Sequence, residues 1–350
     1  MLFWLVFCPF VVVTGQTTRK YSNEFMNIGV DARAFGMANA VVANTSDVNS
    51  GYWNPAGLLA LEDKQISLMH ASYFANIAQY DYAAFAMPID NRSAWGISLI
   101  RFGVDDILNT TQLIDEQGNI DFNRISLFSA ADYGVTFSYA RKPLTIDGLT
   151  YGANAKVIRR VIGDFASSWG FGFDAALQYE TKNWKFGVML RDITTTFNTW
   201  QIDEDVFEGV SNQIPDQELP ETTEITIPKA QFGVARTFEF NADYKLLAEV
   251  DLNMRFAQTA DIFSTEAVSF TPALGLEFGY TEMVFLRAGI GNFQNVETFG
   301  EENLSFQPNL GLGFRYKGIQ VDYALTDIGD QSAAIYSNIF SLKIDWDLFR

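Results

Sequence analysis

Side-chain catalysis needs partners: a nucleophile needs a base beside it, and a catalytic or structural metal needs three or four converging donors. This chain of 350 residues holds one histidine, His70, and one cysteine, Cys8. A lone imidazole in a strand-like segment forms neither a Ser–His pair nor an Asp–His array, and its ordinary place is a lumen or interface position. No G-x-S-x-G string, phosphate loop or Cys/His cluster occurs. The residues therefore predict no enzyme activity, no metal centre and no cofactor.

Two stretches concentrate chemistry of another kind. Residues 203–224 carry Asp203, Glu204, Asp205, Glu208, Asp216, Glu218, Glu221 and Glu224 without a Lys or Arg. Like charges at that density keep a loop solvated, and they also suit docking of a basic partner. Calcium would use the same oxygens, but the EF-hand spacing is absent. Residues 106–123 scatter Ile107, Leu108, Leu113 and Ile114 among polar neighbours, a pattern that suits a packed lid or a protein contact. Ile107, Leu108, Leu113 and Ile114, with Asp203, Glu204, Asp205 and Glu208, are the candidate partner-binding residues.

Composition narrows the class. A net charge of -18 and a pI near 4.4 exclude nucleic acid as a partner, because phosphates call for Lys and Arg stripes. Aromatic residues at 15% are too many for a disordered chain. The opening run, MLFWLVFCPFVVVTGQ, is apolar for about a dozen residues, too short for a spanning helix, and reads as a signal-peptide core with cleavage after Gly15. It lacks a basic leading region. Phe7 precedes Cys8 where a lipidation motif wants a small residue. Cleavage would leave a mature chain without cysteine, and so without a disulfide framework.

The elements that must position these stretches are strands. Beyond Asp63, period-two alternation is the commonest pattern. In YKLLAEVDLNMR, Tyr244, Leu246, Ala248, Val250, Leu252 and Met254 face one way, against Lys245, Glu249, Asp251, Asn253 and Arg255. WGFGFDAALQYE (169–180) and FSLKIDWDLF (340–349) alternate likewise. Fourteen such segments centre near residues 70, 84, 98, 137, 156, 174, 189, 234, 250, 275, 288, 311, 323 and 343. Tight turns at 90–93, 142–148, 181–183, 241–243, 281–282 and 317–318 alternate with longer excursions at 104–132, 194–226, 257–269 and 293–304, and with shorter ones near 75, 165 and 331. A soluble sandwich has no reason to keep every second connection short, whereas a transmembrane antiparallel β-barrel of about 14 strands does. Apolar aromatic faces would then meet lipid, Trp and Tyr would gather at the interfaces, and polar faces would line the lumen. Phe349, one residue before the end, suits the last strand of such a barrel.

Residues 27–63 are not barrel strands. Small residues dominate, and Asn54-Pro55 reads as an N-cap followed by proline at the first helical position, opening a short helix before the first strand. The string GVDARAFGMANAVVA followed by YWNPAGL resembles the N-terminal signature of the PorV/PorQ family, a branch of the FadL-like fourteen-stranded outer-membrane barrels. Gly29, Ala32, Arg33, Ala34, Gly36, Met37, Ala40, Val42, Ala43, Asn54, Pro55, Ala56 and Gly57 carry the match. Asp31 intrudes, and Ala38-Asn39 replace a small glycine pair. After the signal peptide of 1–15, the resemblance implies a small N-terminal hatch segment over 16–63 folded into the lumen, with the barrel over 64–350. A lumen lined by Lys156, Asp174, Glu249, Arg255 and Lys343 could hold Asp31 and Arg33 in charge-assisted pairs. It also implies an outer-membrane place with the N-terminus periplasmic or lumenal, in a Gram-negative-type bacterium. Its partners would be the lipid bilayer, other outer-membrane proteins of a translocon, attachment or barrel-assembly complex, and secreted cargo. The expected function is a protein-binding accessory or shuttle subunit, foremost in type IX secretion, where such barrels bind cargo C-terminal signals. The alternative is FadL-like transport of hydrophobic small molecules, which the polar inward faces disfavour.

Overall fold

A computed structural model describes residues 22–346 apart from 75, 115–117, 204–222, 299–300 and 327–336. The expected signal peptide, Cys8, Glu204, Asp205, Glu208 and Phe349 lie outside the described residues. Alternation becomes one closed antiparallel sheet. Its first six strands are β1 (Gln65–Tyr73), β2 (Ala78–Asp90), β3 (Ser93–Asn109), β4 (Ser126–Arg141), β5 (Leu149–Ile162) and β6 (Ala166–Thr181). Two interrupted wall strands follow, one made of β7 (Trp184–Arg191) and β8 (Thr196–Ile202), the next of β9 (Thr223–Thr226) and β10 (Lys229–Glu239). Then come β11 (Tyr244–Arg255), the two-residue β12 (Phe263–Ser264), β13 (Ser269–Tyr280), β14 (Val284–Thr298), β15 (Glu301–Tyr316), β16 (Ile319–Thr326) and β17 (Ser337–Asp345). Pairing of β1 with β17, from Gln65 with Asp345 to Ser72 with Asn338, closes fourteen wall strands and leaves no edge in hydrocarbon.

Each face follows the alternation. Leu310, Leu312 and Phe314 of β15 are 59%, 55% and 51% exposed, as a lipid-facing surface requires, while Asp174, Glu249, Asp251 and Lys343 are buried inside. Tyr139, Tyr151, Tyr179, Trp184, Tyr244, Tyr280 and Tyr316 all sit exposed within two residues of the tight-turn rim. Their amphipathic rings form a belt where one end of the wall meets water.

Three stretches differ from the sequence reading, among them the long excursion expected at 194–226, whose two ends form β8 and β9 in the sheet. Residues 293–304 form no long excursion, since β14 and β15 continue to Thr298 and from Glu301. The excursion at 104–132 is shorter too: Ile107 and Leu108 belong to β3, opposite Phe128 and Leu127. The break between β7 and β8 carries no sequence signal. β6 pairs with β7 through Ala175–Thr181 and with β8 through Ala166–Phe171, and residues 192–195 bulge out of the ladder, with Asp192 and Thr195 at φ 54° and 60°.

Residues 22–63 fold against the inner faces of the wall. They comprise a 3-10 turn at Glu24–Asn27, α1 (Ala32–Gly36), α2 (Ser50–Trp53) and a 3-10 helix at Pro55–Ala60. Phe25, Val30, Phe35, Tyr52, Trp53 and Leu58 share one buried apolar cluster with Tyr73, Tyr80, Tyr82, Ile100 and Ile158 of the wall. The molecule's core is thus the filling of the barrel.

Candidate functional site: a filled lumen and an apolar outer rim

Close approach of the N-terminal segment depends on missing side chains. On the inner wall, a Cβ at Gly187 would stand 2.4 Å from the Val42 carbonyl oxygen, one at Gly289 2.4 Å from the Met37 carbonyl carbon, and one at Gly152 2.7 Å from the Ala56 nitrogen. Gly36 of α1 meets Gly311 of β15, its Cβ position lying 2.9 Å from the Gly311 Cα. Backbone packs directly on backbone at these points.

Three polar anchors fix the segment in rotation. The first is an ion-pair chain. Arg33 Nε donates to Glu277 Oε2 at 2.8 Å, Arg287 bonds the same carboxylate at 2.6 Å and Asp322 at 2.7 Å, and Lys343 reaches Asp31 at 3.2 Å and Asp47 at 2.8 Å. Arg33 therefore takes Glu277, and Asp31 takes Lys343. Asp31 also accepts the Ser341 hydroxyl at 2.8 Å and the Arg33 backbone N–H at 3.3 Å, so the residue that intrudes into the motif caps α1 and fastens it to β17. The second anchor is a turn whose successive N–H groups face two wall carboxylates: Val41 and Val42 donate to Asp251 at 3.1 and 3.2 Å, and Ala43 donates to Glu249 at 2.7 Å. The third is Asn54. Its Oδ1 accepts from the Ala56 N–H at 3.2 Å while its Nδ2 donates at 3.0 Å both to Val42 O and to Leu177 O of β6. The Asn-Pro-Ala-Gly turn is thus a rivet between the segment and the wall, and Gly57 is required because a Cβ there would lie 2.3 Å from the Thr45 carbonyl oxygen.

The remaining motif residues, Gly29, Ala32, Ala34, Met37, Ala40, Pro55 and Ala56, are buried in the same interface. Gly29 sits at φ 112°, a conformation that favours glycine. Ala38 and Asn39, where the family pattern has small glycines, also turn left-handed, at φ 54° and 63°. Glu277, Arg287 and Asp322 were missed by sequence reasoning. Their only signal is alternation, which puts them inward without saying which depth they share.

His70 faces outward on β1, its Nδ1 2.7 Å from Asp81 Oδ1, with both side chains well exposed. No hydroxyl nucleophile shares that contact in the described residues.

The other feature is at the long-loop rim. Pairing of β2 with β3 ends at Ala78 and Val104, and that of β5 with β4 at Ile162 and Ala130, yet β3 and β4 go on pairing to Asn109 and Ser126. Five further residues lift this hairpin about 15 Å along its own axis beyond both neighbours. It carries Leu108, Ile120, Phe122 and Leu127 at 60% exposure or more, with Ile114 half exposed and Leu113 partly covered. At its base a cavity of about 440 Å³ is lined by Leu108, Phe128, Ile162, Phe165, Trp200 and Ile202. Asp203 follows β8 on this rim, exposed; it is not among the residues lining that cavity.

Several solved barrels share the fold. A Pseudomonas aeruginosa FadL homologue is 13% identical over 91% of this chain and 98% of its own, with a TM-score of 0.53. The Ralstonia pickettii toluene transporter TbuX is 13% identical over 91% and 98%, at 0.54, and the CymD monoaromatic hydrocarbon channel 10% identical over 93% and 97%, at 0.54. At such identities the likeness is one of fold. No curated protein sequence matches the chain. The family model of the type IX secretion system protein PorV matches residues 14–205, more than half of the sequence and all of the motif, so the chain belongs to the PorV family of outer-membrane barrels.

Proposed function

We propose that this barrel serves type IX secretion as a protein-binding subunit, engaging cargo C-terminal signals and the translocon or attachment components through its long-loop end. The observation that carries the reading is the projecting β3–β4 hairpin, which exposes large apolar side chains beyond its paired neighbours. Exposed apolar groups gathered on one projection, beside an apolar hollow, are a docking surface in physical terms. In this reading the tight-turn rim with its aromatic belt is periplasmic, the long loops are extracellular, and residues 16–63 act as a hatch that keeps the lumen shut while partners bind outside. The acidic loop that begins at Asp203 adds steering for basic surfaces.

Replacing residues 108–125 with a two-residue turn should leave the barrel folded and heat-modifiable on gels, and remove secretion-system proteins and cargo from a gentle-detergent pull-down. An unchanged set of partners would refute the assignment of the hairpin. The second reading, passage of a hydrophobic small molecule, is favoured by one observation, the rim cavity between Phe128, Phe165 and Trp200. Organic extraction of purified protein that recovers a bound apolar molecule, with no partners retained, would shift the assignment to transport.

A further inference from the structure

Between the N-terminal segment and the long-loop rim lies a second cavity, of about 250 Å³, which differs from the first in the cations that line it. Its floor is Phe35, Tyr52 and Trp53. Its walls bear three cations, Arg191, Lys229 and Arg255, with seven amide side chains, and among the described residues no Asp or Glu lines it. That sign is notable in a chain of net charge -18. Acids that pair with two of the cations are not part of the lining: Glu24 lies 3.3 Å from Lys229 and Asp261 3.5 Å from Arg255. Arg191 makes no ion pair among the described residues, nearby Asp174 being taken by Lys156 at 2.7 Å.

The guanidinium of Arg191 is preorganised. It lies 4.6 Å from the centre of the Tyr52 ring, and Nη2 donates to the Tyr52 carbonyl at 3.0 Å. Its Nε donates to Gln231 Oε1 at 2.9 Å, and Gln231 Nε2 donates to Asn253 Oδ1 at 2.7 Å. The amide orientations are thereby set in one direction, and the relay ends with the Asn253 N–H groups as donors. A cavity of cations and oriented N–H donors, with aromatic faces beneath, is built for a planar anion. Its volume suits a chain end or a small acid.

We propose that this outer-lumen cavity binds a carboxylate, supplied by a peptide chain terminus or by a small free organic acid. The site stands on the cavity alone and is separate from hairpin docking, so either can fail without the other.

The test is calorimetric titration of the full-length protein in detergent with three probes: acetyl-trialanine as the free acid, the same peptide as its C-terminal amide, and glutarate. Binding of the free-acid peptide but not its amide identifies a chain terminus as the source. Binding of glutarate alone identifies a free acid. In either case Arg255→Gln and Lys229→Gln should each weaken binding by about ten- to a hundredfold, the worth of one charge-assisted hydrogen bond, and added salt should weaken it further. Lys229→Gln guards against misfolding, because its partner Glu24 is half exposed and bears the loss in water. Equal binding of acid and amide, no binding of any probe, or unchanged affinity in Lys229→Gln would each overturn the proposal.

Discussion

Asp31 is a buried carboxylate inside a string of small residues, and its surroundings decide its charge. Burial by itself would push its carboxyl up. The ammonium of Lys343, the Ser341 hydroxyl bond and the guanidinium groups of Arg33 and Arg287 together outweigh that and hold it below the ordinary carboxylate value. A carboxyl depressed on folding contributes stability that is complete above its unfolded pKa and is lost as pH falls through its folded one. The tether of α1 to β17 should therefore survive mild acid and loosen only below about pH 4. Asp31→Asn should weaken the segment's hold by about 1–3 kcal/mol, since Lys343 keeps Asp47, and should flatten its acid dependence. Protease cleavage within residues 22–63, followed against pH, reads both effects, and identical acid profiles for the two proteins would count against this role. That Asp31 and Arg33 would meet charged partners in the lumen was legible, because alternation put Lys343 and other charges inward; that Asp31 takes Lys343 was not. Nor was Arg33 with Glu277, for 244 residues separate them and only the closed barrel's register brings them to one depth. The left-handed turn at Ala38 and Asn39 was legible only as a departure from glycine.

At the scale of elements, alternation and turn chemistry located all fourteen wall strands, since each is a stretch with one face in an apolar medium and the other against polar filling. Bulges and strand lengths were hidden. The excess residues at 192–195 are held by inward bonds, Asp192 N–H to Asp174 at 2.9 Å and Lys156 Nζ to Asp192 at 2.6 Å, which no local pattern announces. The hairpin of β3 and β4 kept its ladder through residues read as loop because cross-strand apolar pairs such as Ile107 with Phe128 support it outside the wall. Inward glycines carry a sharper prediction. Gly289→Val should force the Met37–Ala38 backbone away from β14, costing about 1–3 kcal/mol and exposing residues 22–63 to protease. Gly279→Val is the control, because a Cβ there meets only the Phe285 ring at an ordinary 3.4 Å. Equal protease sensitivity in the two variants would mean that the segment is not held by backbone contact with the wall.

The whole molecule is a wide cylinder whose core is residues 22–63 of its own chain. Fourteen strands enclose more space than their side chains fill, in the range between barrels packed solid and porins with an aqueous channel. Residues 22–63 take up that space, and they satisfy wall carboxyl groups that would otherwise face water: Glu249 and Asp251 are capped by backbone N–H groups of the segment and have no cation in ion-pair contact among the described residues. Removing residues 22–60 should therefore have two linked consequences. The lumen opens, and the freed carboxylates become the charged lining of an aqueous path. In planar bilayers the intact protein should be silent, whereas the deletion variant should conduct and prefer cations, with Glu249→Gln/Asp251→Asn in the deletion background reducing that preference. Comparable conductance from the intact protein would show that the segment does not seal the barrel. A deletion variant that is folded, inserted and silent would place the seal in the outer loops. Silence of the intact protein would also suit the proposed docking at the rim, because a barrel that works there must not leak through its middle.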